Sequence, residues 1–284
     1  MRKKVTILTL QEKMAAGEQI TMITGYDYPM ALMQEKAGMD IILVGDSLGM
    51  TVLGFDSTLP VGMDTMIDHA KAVRRGAPTA YVIGDMPYMS YQISIEQAIK
   101  NAGRFMQEAG CDAIKLEGGS NVVDIVEALT KATIPVMGHI GLTPQSIAML
   151  GGFKSQGRSL EAAEKLIDDA KALEEAGIVT LLIEAVPPEV GRIITEQANV
   201  PVIGIGAGPH CHGPLLISHD MLGCVEAFTP KFVKKYTDLG NAMREAFEAY
   251  INEVKEGKFP AEEHYYKMHP GEAEELLKKY GITD

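Results

Sequence analysis

The chain has 284 residues, 46% of them hydrophobic and 23% charged, which allows one sizeable core and is ordinary for a globular protein. Its formal net charge is −12, and Lys and Arg gather only in short patches such as Lys234-Lys235 and Arg74-Arg75. That excludes the basic face of a nucleic-acid binder.

Three cysteines, Cys111, Cys211 and Cys224, have spacings that fit no zinc pattern and point to a reducing compartment without disulfides. The N-terminus starts basic but lacks the apolar stretch and small-residue cleavage site of a secretory signal. No run approaches the roughly 18 apolar residues of a membrane span. A cytoplasmic location, with no membrane partner, is expected.

In chain order, short apolar β-branched runs end in Gly or an acid, and helical patterns follow them. The predicted strands are 20–25, 40–45, 80–84, 112–116, 134–138, 179–183, 200–205 and a weaker 214–218. Helices are predicted over 29–37, 64–75, 94–109, 120–131 and 159–176, the last three opening on Ser caps, with Ser94 and Gln97 in capping-box register. Ala-Gly pairs at 37–38, 109–110 and 176–177 suit left-handed helix ends. Beyond residue 229 the chain reads as an amphipathic helix over 231–254 and a short helix over 272–280, with acids early and lysines late.

Continuous apolar strands alternating with helices mean a parallel sheet buried on both faces. Eight such units in this length point to a closed (β/α)8 TIM barrel, an α/β fold. The rival Rossmann fingerprint is not matched, because Gly204-Ile-Gly-Ala-Gly has the wrong spacing and comes late. The expectation is one barrel domain over 1–284, with the C-terminal helices from about residue 230 packing on the barrel or on a neighbouring subunit.

Asp46, Asp85, Glu117 and Glu184 each follow an apolar run, and in a barrel those positions converge on the C-terminal mouth. One acid after a strand is usually a loop residue or a cap; four at equivalent places require compensation by shared protons or a cation. Oxygen ligands favour a hard ion such as Mg²⁺. Lys115 lies two residues before Glu117, so both face inward. An inward lysine is costly unless paired or meeting an anion. A Schiff-base lysine is desolvated, with few carboxylates around it. Lys115 among several acids instead favours a protonated lysine that binds a substrate carboxylate. The pattern suits metal-assisted enolate chemistry on a 2-keto acid, with a separate carboxylate taking the proton.

Other residues carry two readings each. His139 either touches substrate or is a satisfied core residue. His210 and His212 flank Cys211 without a standard metal geometry and read as a solvated loop. Gly206 and Gly208 permit close approach to an anion or make a tight turn. Tyr88 and Tyr91 line a pocket or cap the barrel.

Six motifs occur in order: Thr24-Gly-Tyr-Asp-Tyr-Pro, Leu43-Val-Gly-Asp-Ser-Leu-Gly-Met, Gly84-Asp-Met-Pro-Tyr, Ile114-Lys-Leu-Glu-Gly-Gly, Met137-Gly-His-Ile-Gly-Leu-Thr-Pro-Gln-Ser and Gly204-Ile-Gly-Ala-Gly. Over residues 6–263 or so, the chain resembles the 3-methyl-2-oxobutanoate (ketopantoate) hydroxymethyltransferase family. The resemblance implies a barrel of the pyruvate/phosphoenolpyruvate-binding type, assembled into large homo-oligomers, typically decamers. It implies transfer of a hydroxymethyl group from 5,10-methylenetetrahydrofolate to 3-methyl-2-oxobutanoate, giving 2-dehydropantoate and tetrahydrofolate on the route to pantothenate and coenzyme A. By motif, Asp46, Asp85 and Glu117 would be Mg²⁺ ligands, some through water. Asp46, Ser47, Asp85 and Lys115, with His139, would bind the keto acid, and Glu184 would be the general base at C3. The alternatives are a metal-dependent barrel lyase acting on another 2-keto acid without folate, and a non-catalytic binding barrel. Where the family usually has Asp-Gly-Gln, this chain has His212-Gly213-Pro214, a departure that bears on whatever those residues do at the folate side or a subunit contact. The tail after Glu263 is assigned no role.

Overall fold

The computed structural model describes residues 2–225 and 229–282, so the ends of the expected 1–284 span lie outside the described residues. Eight parallel strands close into a barrel in sequence order, β8 returning to β1. They are β1 Met22–Thr24, β2 Ile41–Val44, β3 Tyr81–Asp85, β4 Ala113–Glu117, β5 Val136–Gly141, β6 Thr180–Glu184, β7 Val202–Ile205 and β8 Gly213–Leu216. All eight predicted runs are strands. Asp85, Glu117 and Glu184 are the last residues of theirs rather than the first residues beyond.

Period-two alternation divides the strand residues between two cores. Ile41, Leu43, Tyr81, Ile83, Ala113, Met137, Leu182, Ile203 and Leu215 fill the barrel interior. Their neighbours Ile42, Val44, Val82, Ile114, Leu116, Val136, Leu181, Ile183 and Val202 pack outward against helices. The interior column of each strand, continued toward the mouth, leads from Ile83 to Asp85, from Ala113 to Lys115 and Glu117, from Met137 to His139, and from Leu182 to Glu184. The alternation that builds the core therefore also aims the polar residues inward.

The helices are α1 Ile7–Ala15, α2 Tyr28–Ala37, α3 Leu48–Thr51, α4 Met63–Gly76, α5 Ile95–Gln107, α6 Val123–Lys131, α7 Ile147–Leu150, α8 Leu160–Glu175, α9 Pro188–Gln197, α10 Ser218–Met221, α11 Leu239–Lys255 and α12 Glu272–Lys279. Ser94 and Ser159 cap α5 and α8 through their side chains. Gly38 ends α2 in the left-handed conformation. Helix α1, which lacked a sequence signal, closes the N-terminal end of the barrel with Val5 and fully buried Leu10 among the interior residues.

Three expectations are corrected. Ser120 does not cap a helix: it opens a 3-10 turn over Ser120–Val122, and its amide and hydroxyl both donate to Asp169 Oδ1 at 2.8 Å. No helix joins β7 to β8, which are linked by a loop over 206–212. The helix predicted from 231 begins at Leu239. Tyr236 and Leu239 donate their amides to the carbonyls of Met221 and Leu222, at 2.8 and 2.9 Å, so these amides are withdrawn from helical bonding.

Helix α11 has no buried residue, and Met243, Phe247, Tyr250, Ile251 and Val254 stand exposed at helical spacing. Among the described residues, no helix is long and apolar enough to cross a membrane.

Candidate active site

The mouth collects the seven sequence-predicted residues. Asp85, Lys115, Glu117, His139 and Glu184 come from β3 to β6, and Asp46 and Ser47 come from the turn that carries β2 into α3. Asp46, Asp85, Lys115, Glu117 and His139 are all buried; Glu184 is partly exposed.

Lys115 is the centre. Its Nζ lies 2.8 Å from Asp85 Oδ1, 3.4 Å from Glu117 Oε1 and 3.2 Å from His139 Nδ1. Asp85 Oδ2 accepts the amide of Asp46 at 3.0 Å. His139 lies between two carboxylates, with Nδ1 3.4 Å from Glu117 Oε1 and Nε2 3.2 Å from Glu184 Oε2, the latter off the line of a good hydrogen bond. When Nδ1 accepts from Lys115, the ring proton sits on Nε2 and faces Glu184. Ser47 Oγ lies 2.8 Å from the Tyr26 hydroxyl.

The charges here are strongly perturbed. Burial, then the carboxylates of Asp85 and Glu117, hold Asp46 well above the ordinary carboxylate range. Burial likewise raises Asp85, against the pull of Lys115. Burial also acts to raise Glu117, but Lys115 and His139 outweigh it, and Glu117 falls below its usual value. For Lys115, burial favours the neutral amine, and the attraction of Asp85, Glu117 and Asp46 overturns it, so the ammonium is strengthened. Burial and Lys115 pull His139 down, while Glu117 and Glu184 prevail and raise it. Three buried carboxyl groups thus surround one fixed cation, and the crowding is relieved either by protons held on Asp46 and Asp85 or by a second cation.

The donor set fits a hard divalent cation. The carboxylates of Asp46, Asp85 and Glu117 offer oxygens, which suit Mg²⁺, while the Lys115 ammonium has no lone pair to give. Asp85 Oδ1 is buried without a well-directed hydrogen bond, despite its ion pair with Lys115. Among the described residues, no three His, Cys, Asp or Glu side chains converge as a ready-made ligand set. The site therefore suits an ion that keeps several waters rather than one caged by protein alone.

Sequence reasoning missed Gln145 and the role of Tyr91. Gln145, buried in the 3-10 turn Pro144–Ser146 after β5, donates its amide to Glu117 Oε2 at 3.0 Å and its side-chain Nε2 to Asp46 Oδ2 at 2.9 Å. Its signal was its place in a strand-end turn, where other units carry their acids. Of the two tyrosines, Tyr91 is buried and reaches this network, whereas Tyr88 is exposed.

Residues 210–212 lie at the opposite end of the barrel. His212 Nδ1 accepts the Val202 amide at 3.0 Å, Cys211 packs beside Gly204, and His210 is exposed. The His212-Gly213-Pro214 departure thus sits where β8 begins, at the face that governs stability. Gly206 and Gly208 form a turn covered by Phe232 and Pro188.

A sequence profile described as ketopantoate hydroxymethyltransferase matches residues 4–262. The chain is 55% identical over 265 residues to the 3-methyl-2-oxobutanoate hydroxymethyltransferase of Syntrophomonas wolfei, covering 93% of this chain and 96% of the relative. It is 56% identical over 268 residues to the enzyme of that name from Alkaliphilus metalliredigens, with 94% and 95% covered. Among solved structures, a phosphonopyruvate hydrolase in complex with oxalate and Mg²⁺ superposes with a TM-score of 0.61 at 14% identity, covering 97% of this chain and 94% of the other. A 2,3-dimethylmalate lyase superposes at 0.57 and 15% identity, with 97% and 98% covered. At that identity these structures speak for the barrel alone. The sequence matches, which span residues 4–262 in the profile and 93% and 94% of the chain in the two relatives, on a closed barrel with an acid-lined mouth, establish that the chain belongs to the ketopantoate hydroxymethyltransferase family.

Proposed function

We propose that the chain transfers a hydroxymethyl group from 5,10-methylenetetrahydrofolate to 3-methyl-2-oxobutanoate, giving 2-dehydropantoate and tetrahydrofolate with one water consumed. The observation that carries this reading is a buried lysine between Asp85 and Glu117, linked through His139 to a partly exposed carboxylate, Glu184. An enolate-forming enzyme requires those two parts: a fixed cation for the substrate's carboxylate, and a separate base for its C–H.

Lys115 receives the keto acid's carboxylate, and Ser47, steadied by Tyr26, donates to one of its oxygens. Asp46, Asp85 and Glu117 would hold Mg²⁺, with Asp46 and Asp85 also beside the substrate. When bound, the ion supplies electrostatic stabilisation of the charge that develops on the keto oxygen. Glu184 removes the proton from C3, and the C–H electron pair becomes the C2–C3 double bond of the enolate. Water adds to the methylene carbon as both of that carbon's bonds to the folate nitrogens break, and its two protons pass to those nitrogens, giving tetrahydrofolate and a one-carbon aldehyde. C3 then attacks the aldehyde carbon, whose C=O π pair takes the proton held by Glu184 and becomes the new hydroxyl. His139 lines the keto-acid site and steadies Glu184. Burial of the carboxylate cluster keeps water from the anionic carbon.

The span 1–284 is read as one barrel domain. Its C-terminal helices from about residue 230 pack on the barrel or a neighbouring subunit, and the exposed apolar residues of α11 support a homo-oligomer, with a decamer expected. The setting is the cytoplasm.

The test is deuterium uptake at C3 of 3-methyl-2-oxobutanoate in D₂O, with and without Mg²⁺, followed by turnover on adding 5,10-methylenetetrahydrofolate. Metal-dependent uptake without folate, and 2-dehydropantoate only with it, is the expected result. Absence of metal-dependent uptake would overturn the enolate route. Cleavage of another 2-keto acid without folate would mark a lyase.

A further inference from the structure

Gln145 has no part in the chemistry above, yet it lies buried in the middle of the site. Its Nε2 donates to Asp46 Oδ2 and to the Met86 carbonyl, each at 2.9 Å. Its Oε1 lies 2.7 Å from the Tyr91 hydroxyl and 3.4 Å from Gln92 Nε2. Its backbone amide donates to Glu117 Oε2 at 3.0 Å. One residue after β5 thus grips the turn after β2, the loop after β3 and the end of β4.

The amide can point only one way. Turned over, Oε1 would face the Asp46 carboxylate and the Met86 carbonyl, and acceptor would meet acceptor. Tyr91 supports this choice: its hydroxyl oxygen accepts the Glu117 amide at 3.1 Å, and of the two acceptors for its proton Gln145 Oε1, at 2.7 Å, is nearer than the Glu117 carbonyl at 3.1 Å.

The bonds also sort the carboxylate oxygens. Gln145 occupies Asp46 Oδ2 and Glu117 Oε2, and the Asp46 amide occupies Asp85 Oδ2. At each of the three acids one oxygen accepts from a protein amide, and the second oxygens of Asp85 and Glu117 turn to Lys115, whose Nζ lies 2.8 Å from Asp85 Oδ1 and 3.4 Å from Glu117 Oε1. A cation site needs this kind of restraint, since a carboxylate free to rotate must be ordered when the ion binds.

We infer that Gln145 is a positioning residue that sets which oxygens of Asp46 and Glu117 are offered to the divalent cation, with Tyr91 supporting the orientation of its amide. The inference rests on the proposed reading that these acids hold the metal. Its readout is Mn²⁺ affinity, measured on the full chain by loss of the free-ion paramagnetic resonance signal, for wild type, Gln145→Ala, Tyr91→Phe and Asp85→Asn. Gln145→Ala is expected to weaken Mn²⁺ binding by about 10- to 100-fold, in the range for groups that orient metal ligands. Tyr91→Phe should weaken it in the same direction by less, and the KM for the keto acid at saturating metal should change little in both. A Gln145→Ala protein that melts earlier but binds Mn²⁺ within about twofold of wild type would make Gln145 a structural spacer and overturn the inference. Where Gln145→Ala does not fold, unchanged affinity in Tyr91→Phe overturns it equally. Failure of the underlying metal reading looks different: wild type itself takes up no Mn²⁺, or Asp85→Asn binds it as tightly as wild type.

Discussion

His139 Nε2 lies 3.2 Å from Glu184 Oε2, while the other nitrogen of the same buried ring faces Lys115 at 3.2 Å. One imidazole therefore spans the distance between the group read as the base and the group read as the substrate's anchor. Removing it should leave Glu184 chemically intact but free to swing. His139→Ala is expected to lower kcat by about 10²-fold, the scale of a misplacement near 1 Å, with a smaller change in the KM for the keto acid. Steady-state kinetics checks this; a fall in kcat/KM carried wholly by KM would assign His139 to substrate binding instead.

Glu184→Gln keeps the shape of the side chain and removes its basicity. Deuterium uptake at C3 should fall on the order of 10²- to 10⁴-fold, while Mn²⁺ binding and keto-acid binding persist. Retained exchange would move the base elsewhere.

Much of this site was legible because its grammar is that of the fold. A strand turns residues two apart to the same face, so Lys115 and Glu117 were expected to point inward together from their spacing alone. The four acids stood out because they recur at one place in successive units. Gln145 did not stand out, because it is neutral and its importance lies in contacts with residues 99 and 28 positions away. Helix α1 was missed for a related reason: its buried Leu10 answers to the open end of the barrel, which local periodicity does not report. At 231–238 the pattern was amphipathic, yet carbonyls of the preceding segment claimed the amides of Tyr236 and Leu239.

Asp40 ties the N-terminal segment to β2. It pairs with Lys13 at 2.8 Å and Arg2 at 3.1 Å and accepts from the Thr21 amide at 2.9 Å. Burial acts to raise its carboxyl, but the bonds from Lys13 and Thr21 outweigh that and hold it below its usual value. A depressed folded-state value stabilises above the unfolded value, near 4, and that contribution fades as pH falls through the folded one. Asp40→Asn should therefore cost about 1 kcal/mol at neutral pH, since the partly exposed cations are screened. The gap from wild type should close in acid. Urea denaturation of both proteins across pH 3 to 7 (roughly the carboxylate range) checks this; a gap independent of pH would assign the effect to packing.

Phe247 lies in the exposed apolar stripe of α11. If that stripe is covered by a neighbouring subunit, Phe247→Glu buries an unpaired charge in the contact and should shift the protein to smaller species in sedimentation velocity. An unchanged size distribution would place α11 outside the assembly contacts.

Gly141 ends β5 beside Glu184, with φ at +93°. A Cβ there would run into the Glu184 carbonyl oxygen and press on Val186. The next residue's amide, Leu142, donates to that same carbonyl at 2.8 Å, so the end of β6 cannot retreat without losing the bond. Gly141→Ala should therefore cost roughly 1–3 kcal/mol of stability. It should also displace Glu184 enough to lower kcat by about 10²-fold, even though no functional group has been removed. Gly103, within α5, has open space where a Cβ would go. Gly103→Ala should instead gain about 0.5–1 kcal/mol and leave kcat unchanged. Thermal melts and kinetics on the pair separate the two effects: if both glycines tolerate alanine alike, the backbone contact at Gly141 does not hold the base in place.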